Sequence, residues 1–487
     1  LCSDILITGL RAMDKMITLV PVLAASCLMT ACNLDNNSTQ KNATVSTPKH
    51  VLFFLGDGMG ITTLTAARIY SVGEDGTTTI DSLPETAFIK TYSNDSQVTD
   101  SAPSMSAYMT GVKSNNGVIS MNAEATQEND CSTSKGSAMT TLLELAKAKS
   151  WGTGVVTSTR VTHATPAATY AHICNRDLEN DIAAQLVPGG TGFNSKLADG
   201  VDVILGGGRK QFFSAANLSG GRSDGRDLIT ELQAKGYTYA GTKTELTAAD
   251  NSKKLIGLFN NSHLSYDLDR QKNSATTEPS LTEMTEKAID VLSNNKNGFF
   301  LMVEGGRIDH ALHDTNAKRA LQDSVAFDNA IAAAITKMKT IDPELKNTLI
   351  VVTADHDHTL VLNGYAQRTG KTTDNQAGVL GLVKNYSGAT AGEASVDADG
   401  MPYSIIGFGN GSNRVDGARN TVAALTDESV SADDYRQEVV VEVGTPGSET
   451  HGGTDVFLGA MGMGADDFHG VIENTAVFGK VKTIAGL

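Results

Sequence analysis

His50-Val-Leu-Phe-Phe-Leu-Gly-Asp-Gly-Met-Gly60 joins a continuous apolar run to a glycine cluster that surrounds an aspartate. An apolar run without alternation is typical of a strand buried on both faces of a parallel sheet. The glycines allow a sharp turn, and Asp57 stands just beyond the strand, where open α/β sheets place their functional sites. The glycine spacing does not match a dinucleotide-binding fingerprint. The alternative interpretation is that Asp57 only caps the next helix.

Three later apolar runs also predict buried strands, and each is followed by polar residues. They are Trp151-Gly-Thr-Gly-Val-Val-Thr157, Phe299-Phe-Leu-Met-Val303 and Asn347-Thr-Leu-Ile-Val-Val-Thr353. Because parallel strands end at a common edge of their sheet, we expect the Asp, Glu, His and Thr side chains beyond these strands to meet there. The sequence therefore predicts an α/β fold with one polar sheet edge. Residues 209–278 are polar and are predicted to form surface loops and short helices.

Val98-Thr-Asp-Ser-Ala-Pro-Ser-Met-Ser-Ala-Tyr-Met-Thr-Gly-Val-Lys113 predicts a loop that leads into a helix ending at Gly111. Ser101 would lie at the helix N-terminus, where unpaired N–H groups and the helix dipole favour an alkoxide or a bound phosphate. A serine hydroxyl is a weak nucleophile unless a base or a metal activates it. Taken alone, this stretch favours a simple N-cap role for Ser101.

Side chains that could hold metals or phosphate follow the other strands. Asp309 and His313 are four residues apart, so a helix would place both on one face, as is common for metal ligands. Asp355-His-Asp-His358 follows a strand directly, although either cluster alone could be a solvated turn. Histidine with carboxylate suits zinc, whereas carboxylates with a hydroxyl suit magnesium. Pro166 favours the first turn of a helix, and Arg176 would lie about three turns further on.

Composition limits the classes of partner and the compartment. The chain has 487 residues and a net charge of -16, with no basic block, which argues against nucleic acid as a partner. Three of the five cysteines lie near the N-terminus, and Cys131 and Cys174 would remain in the mature fold. In an exported protein these two could form a disulfide or stay as free thiols, and the sequence leaves both alternatives open.

The N-terminal residues predict an export signal rather than part of the fold. Met13 or Met16 could be the true start, and the apolar run from residue 17 to 31 is too short for an ordinary membrane span. Cys32 follows small residues, as in a bacterial lipoprotein processing site, and would then carry lipid. The alternative is a plain signal peptide cut just before Cys32. The polar residues 33–48 predict a flexible tether.

The chain resembles the alkaline phosphatase family in seven stretches, which occur in the family's order and span nearly the whole mature chain. They are Gly56-Asp-Gly-Met-Gly60, Thr99-Asp-Ser-Ala102, Thr159-Arg-Val-Thr-His-Ala-Thr-Pro-Ala167, His172-Ile-Cys-Asn-Arg176, Val303-Glu-Gly-Gly-Arg-Ile-Asp-His310, Thr353-Ala-Asp-His356 and Glu449-Thr-His-Gly-Gly453. The resemblance implies a three-layer α/β sandwich with a mostly parallel central sheet, commonly as a homodimer. It also implies a division into a leader and signal (1–32), a tether (33–48), a core (49–362), a crown-like insertion (363–448) and a closing part of the core (449–487).

The resemblance implies hydrolysis of phosphate monoesters at alkaline pH, with release of inorganic phosphate, through a phosphoserine at a site with two Zn²⁺ and one Mg²⁺. Ser101 would be the nucleophile and Arg176 would clamp the phosphate. The implied metal ligands are Asp57, Asp355 and His356 for the activating zinc, Asp309, His313 and His451 for the other zinc, and Glu304 and Thr165 with a bridging Asp57 for magnesium. The resemblance implies that His163 and His310 belong to the next layer of side chains, which supports these metal ligands. It gives no role to His172 and His358, which are expected to be packing or solvated histidines.

Three rival functions remain open from the sequence. Ser101-Ala-Pro-Ser104 looks like the start of a sulfatase maturation motif, but Met105 stands where that motif needs arginine. A phosphodiesterase activity would use the same site. A non-catalytic phosphate- or metal-binding surface lipoprotein is the rival from another class. In each case we expect an exported protein that is periplasmic, extracellular or held at a membrane only through a lipid on Cys32.

Overall fold

The computed structural model of the protein describes residues 50–487, so the predicted leader, the tether and the lipid site on Cys32 lie outside the described residues. The described residues form fifteen strands: β1 (His50–Gly56), β2 (Glu85–Lys90), β3 (Gly152–Arg160), β4 (Val203–Gly207), β5 (Thr238–Ala240), β6 (Leu255–Leu258), β7 (Phe299–Gly305), β8 (Thr348–Ala354), β9 (Asp357–His358), β10 (Leu360–Leu362), β11 (Ile406–Gly411), β12 (Val439–Glu442), β13 (His451–Gly452), β14 (Val456–Gly462) and β15 (Gly470–Glu473).

The same residues form thirteen α-helices, several of which are short. In chain order they are α1 (Ile61–Val72), α2 (Ser101–Thr110), α3 (Leu142–Ala148), α4 (Ala164–Ala167), α5 (Glu179–Ala184), α6 (Leu228–Ala234), α7 (Lys243–Ala248), α8 (Asp267–Lys272), α9 (Leu281–Leu292), α10 (Arg307–His313), α11 (Ala317–Ile341), α12 (Asp427–Val430) and α13 (Asn474–Ala485). Among residues 50–487, no helix combines the length and the apolar character that crossing a membrane requires.

Ten strands form one central sheet in the order β15-β2-β14-β8-β1-β7-β3-β4-β6-β5. The strands from β8 to β5 are parallel, whereas β14 runs antiparallel to both β8 and β2. Helices such as α3, α9, α11 and α13 pack against strands of this sheet. Residues 51–55 of β1 are completely buried, because β1 is central and both of its faces are covered. The predicted α/β fold with a mostly parallel central sheet is confirmed.

Strand register fixes where the parallel strands end. Gly56, the last residue of β1, pairs with Gly305 of β7 on one side and with Ala354 of β8 on the other. Thr157 of β3 pairs with Glu304 of β7. The order β8-β1-β7-β3 therefore places four of the predicted strand ends next to one another, at one edge of the sheet.

Local capping explains where several helices begin. Ser280 and Glu283 form a capping box at the start of α9. A second capping box, between Thr141 and Glu144, starts α3 at Leu142. The polar stretch 209–278 contributes β5 and β6 to the main sheet, so its prediction as loops and short helices is wrong for these two strands. Runs of three and four residues carry too little periodicity to be recognised.

Two smaller sheets lie outside the central one. Strands β10, β11 and β12 form a three-stranded sheet within the last third of the chain. Strands β13 and β9 pair antiparallel, with His451 opposite His358. This second pairing brings the closing segment of the chain onto the polar edge of the main sheet.

Candidate metal centre

Neighbouring strands bring acidic side chains and a histidine to one edge of the sheet. Asp57 directly follows β1, Glu304 is the second-last residue of β7, and Asp355 and His356 follow β8. All four side chains are fully buried. The prediction that these strand ends meet at one edge is confirmed.

A second group of ligand atoms comes from α10 and β13. Asp309 and His313 lie on one face of α10, with Asp309 Oδ1 3.2 Å from His313 Nε2. The same carboxylate oxygen is 3.5 Å from Nε2 of His451, which β13 contributes. The four-residue spacing thus gives the predicted pair, and the closing segment adds the third side chain.

Hydrogen bonds fix the outer nitrogen of three histidines as the protonated one. Each donates its Nδ1–H to a backbone carbonyl, in the pairs His451 with Thr99 (2.8 Å), His313 with Glu449, and His356 with Asp357 (3.1 Å). Their Nε2 atoms therefore face the interior of the site. The Nε2 atoms of His313 and His451 are only 3.1 Å apart. Asp309 Oδ1 lies within 3.5 Å of both nitrogens, so three ligand atoms converge on one point and the geometry fits a metal ion.

The Ser101 hydroxyl faces the first ligand group. Its Oγ lies 3.4 Å from both Asp57 Oδ1 and His356 Nε2. Asp100 serves as the N-cap of α2, because its side chain accepts a hydrogen bond from the N–H of Ala102 at 2.8 Å. The interpretation of Ser101 as a mere N-cap is therefore wrong: the preceding aspartate caps the helix, and the hydroxyl is free to serve the site.

A third group surrounds Glu304. Its Oε2 accepts hydrogen bonds from Thr157 and, at 3.1 Å, from Thr159. Its Oε1 is buried and has no hydrogen-bond partner among residues 50–487. Thr165 Oγ1 lies 3.3 Å from Asp57 Oδ2, so the Asp57 carboxylate stands between this group and the Ser101 group. A buried carboxylate oxygen without a partner is costly, and a cation bound there would stabilise it.

The pKa values of the buried carboxyl groups also fit a site for metal ions. Burial, aided by neighbouring carboxylates, raises the pKa of Asp57 and the pKa of Asp355 to about 7. Burial and the adjacent Asp57 raise the pKa of Glu304 well above its usual range. Burial also acts to raise the pKa of Asp309, but His313 and the other histidines hold it well below its usual value. Cations would stabilise the ionised carboxylates, so the donor set fits metal ions.

Arg176 approaches the site beside Ser101. Its Nη1 lies 3.7 Å from Asp100 Oδ1, and its Nη2 donates to His163 Nε2 at 3.0 Å. Arg307 donates to His310 Nδ1 in the same way, at 2.8 Å. Burial lowers the pKa of His163 well below its usual value and the pKa of His310 to about 3. Both imidazoles are therefore neutral acceptors that orient arginine side chains.

The route by which the chain delivers Arg176 differs from the prediction. Helix α4 ends at Ala167, and Arg176 follows on an extended segment whose backbone N–H at Arg176 donates to Gly117 O at 2.8 Å. His172 on this segment bonds Glu144 Oε1 through Nε2 at 2.6 Å, which fits its expected packing role. Pro166 lies in the first turn of a helix, as predicted, but that helix spans only Ala164–Ala167.

The expectation that His358 is a packing or solvated histidine is wrong, because it is buried and contacts Asp309 and Glu449, for which no role was predicted. His358 Nε2 lies 2.8 Å from Asp309 Oδ1, and His358 Nδ1 lies 2.6 Å from Glu449 Oε2. Glu449 Oε1 also accepts from the N–H of Thr359 at 2.8 Å. Burial lowers the pKa of His358, but Glu449 and Asp309 raise it to about 10. His358 is therefore an imidazolium between two carboxylates, and it orients Asp309. The repeated Asp-His of residues 355–358 was its only signal in the sequence.

The fold and the site together define a class of protein. A hydroxyl at a helix N-terminus, close to a carboxylate and an imidazole that also suit metal ions, is an arrangement typical of a metal-dependent α/β enzyme.

Comparison with known proteins narrows this class to one family. The family model "Alkaline phosphatase" matches residues 48–487, and the chain belongs to this family. The protein is therefore a metal-dependent enzyme that hydrolyses phosphate monoesters.

Relatives and solved structures agree with the assignment. The chain is 37% identical to "Alkaline phosphatase" of Gadus morhua over 91% of this chain and 93% of that protein. It is 36% identical to the tissue-nonspecific isozyme of Rattus norvegicus over 91% of this chain and 85% of that protein. The structure of alkaline phosphatase from the Antarctic bacterium TAB5 matches with a TM-score of 0.63 and 25% identity, covering 90% of this chain and 99% of that one.

Proposed function

We propose that the enzyme acts through a phosphoserine intermediate on Ser101, at a site for two Zn²⁺ and one Mg²⁺. The observation that carries this proposal is the position of the Ser101 hydroxyl, 3.4 Å from one carboxylate oxygen and one imidazole nitrogen that both suit a metal. A hydroxyl so placed can be deprotonated without a separate base.

Three ligand sets follow from the three groups of side chains. The zinc nearest Ser101 would be held by Asp57, Asp355 and His356, the second zinc by Asp309, His313 and His451, and magnesium by Asp57, Thr165 and Glu304. Supporting this assignment, histidine nitrogens occur in the first two sets and oxygen donors alone in the third. Two solved variants of the TAB5 enzyme are described as having Mg bound in a site designated M3.

His163 would support the magnesium site without being one of its ligands. It is grouped with Asp57 and Glu304 by distance. However, its Nε2 accepts from Arg176, so its proton is on Nδ1 and neither nitrogen keeps a lone pair for a cation. The structure thus supports a role for His163 in holding Arg176.

The residues of this chain then perform a two-step displacement. When bound, the metal ions lower the pKa of the attacking hydroxyl and neutralise the charge on the phosphoryl oxygens. Arg176 binds the non-bridging oxygens and holds phosphorus in line with Ser101 Oγ. Ser101 Oγ forms the new P–O bond as the ester P–O bond breaks and the alcohol leaves. Water then attacks the phosphoserine, which releases inorganic phosphate and restores the hydroxyl.

Mapping the phosphorylated residue tests this proposal directly. Ser104 is the competing hydroxyl, since its Oγ lies 3.4 Å from Asp355 Oδ2. The protein is mixed with a phosphate monoester, quenched in acid and digested, and the peptide that contains both serines is sequenced by mass spectrometry. We expect phosphate on Ser101 in the wild type and in Ser104→Ala, and none in Ser101→Ala. Phosphate on Ser104 would contradict the proposal.

We also propose that the protein is exported and forms a homodimer. The structure pairs Cys131 and Cys174 in a disulfide, and such bonds persist in oxidising compartments. Exposed apolar side chains on and beside the three-stranded sheet, including Val440 (74% exposed) and Tyr365 (88% exposed), support an interface there. Analytical ultracentrifugation of the wild type beside Val440→Asp tests the dimer, and a monomeric wild type would contradict it.

The division of the chain is likewise a proposal. The three-stranded sheet falls mainly within the proposed crown-like insertion, 363–448, and begins with β10 at the end of the proposed first core segment. We expect the insertion to influence the choice of substrate. A lipid on Cys32 would add a membrane anchor, and mass spectrometry of the N-terminal peptide from the native host would reveal it.

A further inference from the structure

We propose that the Cys131–Cys174 disulfide positions Arg176, so that this cross-link is part of the phosphate-binding apparatus and not only a source of overall stability. The inference rests on the proposed function, because it takes Arg176 as the group that binds phosphate.

Cys174 lies two residues before Arg176, on the extended segment that carries the arginine. On one side this segment is fixed by backbone pairing, with Ile173 bonded to Ile119 in both directions (2.9 and 3.1 Å) and Arg176 N bonded to Gly117 O (2.8 Å). Gly117 N in turn donates to Asp100 Oδ2 at 2.7 Å. The backbone of the arginine is thereby registered against the start of α2, where Ser101 lies.

The other side of the segment is covered by a loop with little structure of its own. Residues 122–137 contain regular structure only in one 3₁₀ turn, Cys131–Thr133, and most of their side chains are exposed. The loop nevertheless buries Cys174 completely and leaves Asn175 only 5% exposed. Ala125 is the one buried side chain among residues 122–137, and the disulfide is the covalent link between this loop and the arginine segment.

Polar contacts next to the disulfide continue the same attachment. Asn175 Nδ2 donates to Glu128 O at 3.2 Å, and Gln127 Nε2 donates to Asn175 Oδ1 at 3.3 Å. The N–H of Cys174 points to Cys131 Sγ at 3.2 Å. These bonds depend on the loop being in place, so loss of the cross-link would leave the segment held from one side only. A shift of about 1 Å in a group that orients substrate is enough to reduce the rate strongly.

A mutant cycle separates positioning from plain stabilisation. Cys131→Ala/Cys174→Ala is made in the wild type and in Arg176→Ala, and all proteins are loaded with zinc and magnesium. The dissociation constant of inorganic phosphate is measured by equilibrium dialysis at a temperature well below every Tm, and KM and kcat are measured with a phosphate monoester. Ser132→Ala, in the same 3₁₀ turn and exposed, is the matched control that keeps the cross-link.

We expect removal of the disulfide to weaken phosphate binding about tenfold and to raise KM in parallel, with a smaller change in kcat. In the Arg176→Ala background the same removal should have no further effect on phosphate binding. The control should bind phosphate like the wild type. A lower Tm with unchanged phosphate affinity, or an equal loss in the Arg176→Ala background, would overturn the proposal.

Two further arms keep the test decisive. If the double alanine variant does not fold, native protein is reduced without air, freed of reductant, reloaded with zinc and magnesium, and compared with its oxidised form in the same dialysis. If the wild type binds phosphate but turns over no monoester, the proposed function fails, whereas the binding cycle still decides whether the disulfide acts through Arg176.

Discussion

Replacing His358 tests whether its hydrogen bond to Asp309 sets the zinc affinity of the second ligand group. His358→Ala removes the donor that holds Asp309 Oδ1 at 2.8 Å. Glu449→Gln is the milder substitution, because the amide oxygen of glutamine can still accept the hydrogen bond from the N–H of Thr359. Its amide NH₂ can donate to Nδ1 of a neutral His358, which would keep its Nε2–H on Asp309.

The expected magnitude follows from that one hydrogen bond. A hydrogen bond to a charged group is worth about 1.5–3 kcal/mol. Because about 1.4 kcal/mol corresponds to a tenfold change in a dissociation constant, loss of this hydrogen bond should weaken zinc binding roughly 10- to 150-fold. This agrees with the 10–100-fold effect that is typical of side chains supporting a metal ligand. Glu449→Gln keeps the bond to Asp309, so it should weaken zinc binding by less than about threefold.

The assay is competition for zinc against a chromophoric chelator of known affinity, with stoichiometry read from the absorbance. Circular dichroism confirms that each variant is folded at the temperature used. Wild-type zinc affinity in folded His358→Ala would refute the reasoning. An equal, large loss in Glu449→Gln and His358→Ala would also refute it, because the two variants are predicted to differ in whether Asp309 keeps its donor.

The remaining predictions concern stability. In chelated protein, the carboxyls of Asp57 and Asp355 have a pKa of about 7 when folded against 3.8 ordinarily, so the folded chain binds the extra protons. Their stabilising contribution is complete below 3.8 and is lost as pH rises through about 7, so the Tm of the wild type relative to that of Asp355→Asn should fall from pH 5 to pH 8 in calorimetry, and a rising difference would contradict this. Gly60→Ala would place Cβ 1.6 Å from Asp357 Oδ1 and should lower the free energy of unfolding in urea by about 1–3 kcal/mol. Gly479→Ala, in open space on α13, should raise it by up to about 1 kcal/mol, and equal effects at the two glycines would contradict the packing argument.

Patterns among residues that are close in the sequence predicted the strand and helices that carry the site. The apolar run at residues 51–55 indicates a central strand because both of its faces are covered by packed elements. Asp309 and His313 meet because a helix repeats every 3.6 residues. Ser101 begins its helix because Asp100 is a good N-cap residue. Each of these predictions depends only on residues that are close in the sequence.

The remaining features of the site depend on contacts between residues that are far apart in the sequence. Glu449 reaches His358 because β13 pairs with β9 across some ninety residues, and no local pattern encodes that contact. Arg176 reaches the site on an extended segment bonded to Gly117, whereas Pro166 suggested a helix. Strand β5 is too short for periodicity to separate it from a loop.

Hydrolysis of a chromogenic phosphate monoester at alkaline pH tests the central claim most directly. Wild type and Ser101→Ala are compared with and without a chelator, with a sulfate ester and a phosphodiester run in parallel. The account predicts rapid turnover of the monoester by the wild type, its loss on chelation, its recovery with zinc plus magnesium, and a drop of at least about a thousandfold on losing Ser101. Undiminished turnover by Ser101→Ala, or no turnover of the monoester by metal-loaded wild type, would contradict it.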